Sequence, residues 1–188
     1  MATARSSAKA INATDLEAFE PLAPGLIERP LEFILAEHFR ERMLLAAMRR
    51  VSETLELTRE AAQATIRFLT IELPVHHRDE DEDVYPLLSV RAHPEDALES
   101  LLERLADDHR RSEGLAREIV EALAASMSGA APIVSQRAAH LMHIFAASEN
   151  RHLAIENGIV LVLARKRLKG TDLEVLSRAF KARRGLDG

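Results

Sequence analysis

From Pro30 onward apolar side chains return every three or four positions, the spacing of one helix face, and no stretch alternates in the manner of a strand. A helix opening at Pro30, a favoured first-turn residue, places Leu31, Ile34, His38, Glu41, Leu45, Met48, Ser52 and Leu55 on one seam. A second is expected from Thr58 through Phe68 and Leu73 to Leu88, with Pro74 kinking it or opening its hydrogen-bond ladder. After a turn at His93-Pro94, a third carries Leu98, Leu102, Leu105, His109, Ala116, Val120 and Leu123 in phase. A break over 128–134, with Gly129 and Pro132, precedes a fourth carrying Leu141, Phe145, His152, Glu156, Ile159 and Leu163. Gly170 is expected to end that helix, and a Thr171-to-Glu174 capping box to open a short fifth reaching about Arg184.

The pattern predicts an all-α fold: an antiparallel up-down four-helix bundle with a short C-terminal fifth helix, because short links make sequential helices antiparallel neighbours. The expected organisation is an irregular N-terminal arm over 1–29, the bundle over 30–168, and the last helix packed on it over 169–188. Composition narrows the chemistry. The chain has no Cys, which removes disulfides, thiolate metal sites and Cys nucleophiles. A formal charge of −5 and only 4% aromatic residues argue against nucleic acid as a partner. The apolar runs are too short to span a bilayer, so no membrane partner is expected. The first residues lack the apolar core of a secretory signal, and the cytoplasm is the expected compartment.

Eight histidines in such a chain need an explanation. Each long helix carries one on its apolar stripe: His38, His76 or His77, His109 and His152. Two are followed one turn later by a carboxylate, as His76–Glu80 and His152–Glu156, so both members of a pair project into the same space. In antiparallel neighbours, residues at equal depth lie equally far from the connecting turn. The midpoints between successive sites fall near 58, 93–94 and 131, each at an independently expected turn. Four imidazoles and two carboxylates therefore meet at one level in the core. Leaving them uncompensated would cost several kcal/mol per unpaired charge, which bound cations would relieve. The set exceeds one tetrahedral zinc, whereas two metals, each with two histidines and bridged by both carboxylates, use it fully. Nitrogen and oxygen donors without sulfur suit iron or manganese, with zinc as a substitute.

The pair His77–Asp81 has the same spacing as His76–Glu80, but the stripe of Ile66, Leu69, Leu73, Val84 and Leu87 is centred closer to Glu80. Glu113, four residues after His109, is a candidate further ligand, with an outer acceptor or an interhelical ion pair the favoured alternatives, and Glu41 and Glu149 are candidate acceptors for the outer N–H of ligating histidines. His93, His140 and His143 are expected at the surface, the run Asp79–Asp83 as a mostly solvated face, and Tyr85 as angled away from the metals.

These residues resemble the hemerythrin-like (HHE cation-binding) family. Its pattern of one His on the first helix, His-x-x-x-Glu ahead of an aromatic-Pro step on the second, one His on the third and His-x-x-x-Glu on the fourth is matched by His38, by His76 and Glu80 before Tyr85-Pro86, by His109, and by His152 and Glu156. The resemblance spans about residues 30–168, and the Pro86 spacing supports the His76–Glu80 register. It implies two iron ions, oxo- or hydroxo-bridged, held by His38, His76, Glu80, His109, His152 and Glu156. It also implies a small diatomic or peroxide ligand, and a role in sensing or reacting with O₂, NO or peroxide or in responding to iron. The count of four histidines is closer to iron-centre-repair and iron-sensing relatives than to five-histidine oxygen carriers. A metal-free helical interaction module and an iron storage or delivery protein are the competing expectations.

Overall fold

The computed structural model describes residues 20, 22–126 and 134–186. Within them the architecture is helical, with five helices in antiparallel packing and no strand among the described residues. A short 3₁₀ turn, Pro24–Glu28, seats Ile27 in the core and leads into α1, Pro30–Thr54. Leu55 closes α1 in the left-handed conformation (φ 60°). Thr58 then caps α2 by accepting a hydrogen bond from the Ala61 N–H.

Helix α2 runs over 59–91 and is α-helical except at two π-helical segments, Phe68–Glu72 and Asp79–Val84. Each closes within two residues of a proline. Pro74 and Pro86 have no N–H to offer the carbonyl four residues back, and their rings would crowd it. The ladder widens instead: Leu73 N–H bonds the Phe68 carbonyl, and Tyr85 N–H bonds the Glu80 carbonyl, each five residues back. The opened ladder expected at Pro74 is thus present, and a second one accompanies Pro86.

A 3₁₀ turn, Pro94–Asp96, connects to α3, Glu99–Ser126. The expected break over 128–134 and its midpoint at 131 lie almost wholly outside the described residues. Ser135 caps α4, which spans 136–167 and contains a third π segment, Glu156–Val160. Helix α5, Gly170–Arg183, packs on α1 and α2 and runs beside α2 from Arg91, which pairs with Asp172, to Asp79, which pairs with Arg183.

Two expectations at these ends are corrected. Helix α4 stops at Arg167 rather than Gly170, and α5 is opened by Asp172, whose Oδ2 accepts the Lys169 N–H at 2.9 Å, rather than by a Thr171–Glu174 box. Asp172 also takes a two-pronged ion pair from Arg91 at 2.8 and 2.9 Å, which draws the cap into the inter-helix clasp. Ile159, expected on the core stripe, is 42% exposed, while Val160 and Leu161 are buried. The extra residue of the π segment rotates the following turn, and the same shift in α2 seats Leu88 more deeply than Leu87.

The core is divided in two. One apolar cluster includes Leu44, Met48, Phe68, Leu73, Ile119, Leu123 and Phe145. The other includes Ile27, Ile34, Leu88, Leu102, Leu105, Val160 and Phe180. Between them, on all four long helices, lies a level of buried polar side chains.

Candidate metal centre

The polar level is populated as the seam positions require. Helix α1 supplies His38, α2 supplies His76 and Glu80, α3 supplies His109, and α4 supplies His152 and Glu156, none more than 5% exposed. Their donor atoms form two overlapping groups, His38-His76-Glu80-Glu156 and Glu80-His109-His152-Glu156, each with all atoms within 4.8 Å of one another. Both carboxylates belong to both groups, the arrangement a bridged pair of cations requires.

The inner nitrogens are Nε2 throughout. His38 Nε2 lies 3.3 Å from Glu80 Oε1 and 3.4 Å from Glu156 Oε2, and His76 Nε2 lies 3.4 Å from Glu80 Oε2. On the other side His152 Nε2 is 3.1 Å from Glu156 Oε1, and His109 Nε2 is 3.5 Å from Glu80 Oε2. Three of the outer nitrogens meet oxygen acceptors. His38 Nδ1 is 3.0 Å from Asn157 Oδ1, His76 Nδ1 is 3.1 Å from Glu37 Oε2, and His109 Nδ1 is 2.9 Å from Asp81 Oδ1. His152 Nδ1 lies 3.9 Å from Asp108 Oδ2, too long for a bond. An Nδ1–H donated outward leaves the Nε2 lone pair facing inward, which is how histidines are oriented for metals.

The donor set fits two cations. Glu80 Oε2 and Glu156 Oε2 are buried without a hydrogen bond, and the Nε2 atoms of His109 and His152 converge to 2.9 Å. Two imidazole lone pairs at that distance need a proton or a cation between them. Electrostatics agree. Burial pushes the Glu80 carboxyl well above its usual range, reinforced by Glu156 beside it. Burial also opposes ionisation of Glu156, but His152, His38 and His109 outweigh it and hold that carboxyl well below its usual range. Burial drives His38 down to about 4, so its imidazole is neutral and able to ligate at neutral pH.

His77 is buried beside this set without joining it. Its ring stacks on His109 at 4.1 Å, and its Nδ1 is 3.3 Å from Glu113 Oε1. Between the two registers weighed, the grouped pair is His76–Glu80, while Asp81 turns outward to His109. Glu113 serves His77 rather than a stripe histidine. Glu41 and Glu149 interact with each other, and burial followed by Glu149 raises the Glu41 carboxyl well above its usual range. His93, His140 and His143 lie at the surface as expected.

Two expectations fail here. Asp79–Asp83 is not a solvated face: Asp79 and Glu80 are buried, Asp81 holds His109, and Asp79 and Asp83 pair with Arg183. Tyr85 is not angled away. Its hydroxyl donates to Glu156 Oε1, and its ring lies nearly parallel to that of His109 at 5.9 Å. Five residues of pure α-helix would turn Tyr85 off the Glu80 face, but the π segment between them, with its five-residue repeat, brings it round. The signal for it was Pro86.

No curated protein and no solved structure matches the chain. The family model for the hemerythrin HHE cation binding domain matches residues 29–164, well over half of the chain and all six converging donors. With that match and two buried His/Glu groups suited to a dinuclear site, the chain belongs to the hemerythrin HHE cation-binding family.

Proposed function

We propose that this protein holds two iron ions through His38, His76, Glu80, His109, His152 and Glu156, and uses them to sense or react with O₂, NO or peroxide, or to respond to iron itself. The observation that carries this reading is the sharing of Glu80 and Glu156 between two four-donor groups. Each half offers two imidazoles and two carboxylate oxygens. That set would suit iron, or manganese in its place. Bound there, a metal pair supplies coupled one-electron redox chemistry and polarises its small ligand.

The chain's own residues do the rest. Glu37, Asp81 and Asn157 fix the rings of His76, His109 and His38. Tyr85 holds a proton at its hydroxyl against Glu156, and burial keeps that phenol well above its usual range, with Glu80 and Glu156 adding to the effect. The apolar clusters on either side keep bulk water from the donors and favour small, uncharged reactants.

The test is the metal content and spectrum of protein made in iron-replete cells, before and after NO or peroxide. About two irons per chain and a near-ultraviolet band of a bridged ferric pair, altered by one of these reactants, are expected. His152→Ala should lose one iron and weaken the bundle; unchanged iron content and melting temperature would refute the assignment. A protein that folds equally well after chelation and takes up no iron would instead be a metal-free interaction module. One that gives its iron readily to a chelator would be a storage or delivery protein.

A further inference from the structure

The C-terminal helix closes the second apolar cluster with Leu176 and Phe180, and its end also reaches the metal centre in two hydrogen bonds. Arg184, immediately after α5, places Nη2 at 3.1 Å from Glu37 Oε1 and 2.7 Å from Asp79 Oδ2. The other oxygen of the same Glu37 carboxylate accepts from His76 Nδ1 at 3.1 Å. The guanidinium is fixed from behind as well. It lies 4.7 Å from the Phe33 ring centroid and 5.9 Å from that of Phe180, and its Nη1 donates to the Phe180 carbonyl at 3.2 Å. A single guanidinium thus joins α1, α2 and α5 and sits one carboxylate away from an imidazole of the metal site.

The two halves of the centre differ in this respect. His109 is held by Asp81, whose side chain is 31% exposed, and His152 faces Asp108, whose partner Arg111 is on the same helix and 65% exposed. Both acceptors are more exposed than Glu37. Glu37 is 15% exposed and Arg184 18%, and the two are 147 residues apart in the chain. A charge-assisted bond in such a shielded place is stronger and more geometrically demanding than one at the surface. Removing the guanidinium would leave Glu37 free to swing from His76 and would alter the charge that the imidazole feels.

Resting on the di-metal reading above, we propose that Arg184 is a positioning residue for the His38/His76 half of the centre: it clamps Glu37 against His76 and thereby makes that half hold its cation more tightly. Arg183 provides an internal comparison. It docks α5 on the same acidic turn, at Asp79, Glu82 and Asp83, through contacts that do not include Glu37. A purely structural role for the helix end predicts similar effects from losing either arginine, whereas the clamp predicts an effect from Arg184 alone.

The experiment loads the full-length protein anaerobically with ferrous iron and follows release to a chromogenic chelator, alongside the absorption spectrum after oxidation. In Arg184→Gln one of the two irons should leave about tenfold faster while the other is unchanged, the lower end of what loss of an outer-shell partner does to metal affinity. The spectrum of the pair should shift. Arg183→Gln should show neither change, and Arg184→Lys, which restores the charge without the fork, should recover part of the retention. Glu37→Gln, which leaves the helix end intact, should reproduce the Arg184→Gln phenotype, and the double variant should add nothing to it. Equal acceleration of both irons, equal effects of the two arginines, or an unaltered Glu37→Gln protein would overturn the clamp. A wild-type chain that binds no metal would overturn the di-metal reading itself, whereas a wild type with two irons and an unaltered Arg184→Gln would overturn the clamp alone.

Discussion

Chelating the iron from the loaded protein is expected to lower its melting temperature by at least about 4 °C, a size set by the oxygens at the centre. Glu80 Oε2 and Glu156 Oε2 are buried with no hydrogen bond, and an unsatisfied buried acceptor costs about 1–3 kcal/mol. Two of them cost roughly 2–6 kcal/mol, a penalty that the metal-free protein bears and that coordination removes. For a chain of 188 residues, each kcal/mol moves the midpoint by about 2–4 °C. The assay is calorimetry on protein of measured iron content, on the same sample after dithionite and a chelator, and again after iron is restored. Coincident melting curves for samples carrying two irons and none would refute the reasoning, because the donors would then be satisfied without a cation.

Tyr85→Phe removes the hydroxyl that donates to Glu156 and should destabilise the metal-free protein by about 1.5–3 kcal/mol in urea melts; an unchanged midpoint would show that the bond carries no weight. Glu41→Gln tests the buried carboxyl pair: burial first and Glu149 second raise the Glu41 carboxyl well above its ordinary value of 4.5, so the folded chain holds this proton to higher pH than the unfolded chain does. The folded state then binds more protons, its stability falls as pH rises above 4.5, and the glutamine variant should out-melt the metal-free parent at pH 8 with a gap that closes toward pH 4.5. A gap independent of pH would mean that Glu41 is ionised in the fold. Deleting Ile159, which is 42% exposed, should convert the π segment of α4 to α-helix while keeping Leu161 bonded to the Glu156 carbonyl. Circular dichroism should be preserved and iron binding weakened; full iron content in the deletion variant would show that the widened turn is not needed.

The sequence carried the level of the site because two independent periodicities agree on it. Apolar spacing placed His38, His76, His109 and His152 on inward faces. Equal distances from the turns then put them at one depth, and the turns at Thr58 and Pro94 stand where that symmetry requires. What it did not carry is whatever departs from an even helical period. A π segment inserts one residue without altering composition, so a 3.6-residue reading placed Ile159 on the core face and Tyr85 away from it. Arg184 is a different case. Its contact with Glu37 spans 147 residues, and no local pattern encodes an ion pair that exists only once α5 has packed on α1 and α2.

The three π segments among the described residues are not scattered. Two begin at or beside a shared carboxylate: Asp79–Val84 contains Glu80, and Glu156–Val160 opens with Glu156. In both, the carbonyl of that glutamate accepts from the N–H five residues on, Tyr85 and Leu161 respectively. The histidine four residues before each glutamate therefore keeps its α-helical relation to it, and only the residues beyond the glutamate are rotated. That rotation has a consequence for the opposite helices. After Glu80, α2 delivers Tyr85 to Glu156 on α4; beside Glu156, α4 delivers Asn157 to His38 on α1. Regular helices would give His–Glu pairs alone, with their partners drawn from the next turn of the same strip. By widening at the two carboxylates, the chain fits a second set of polar contacts across the bundle without adding a loop, and this is where π-bulges tend to occur in proteins, at the functional site. The cost of each opened ladder is tied to proline in α2, where it is unavoidable. In α4 no proline imposes it, and Gly158, with open space around it, makes the wider turn easy to adopt. A helix that departs from its regular form without a proline to force it, at the residue that both donor groups share, is best explained by what Glu156 has to reach.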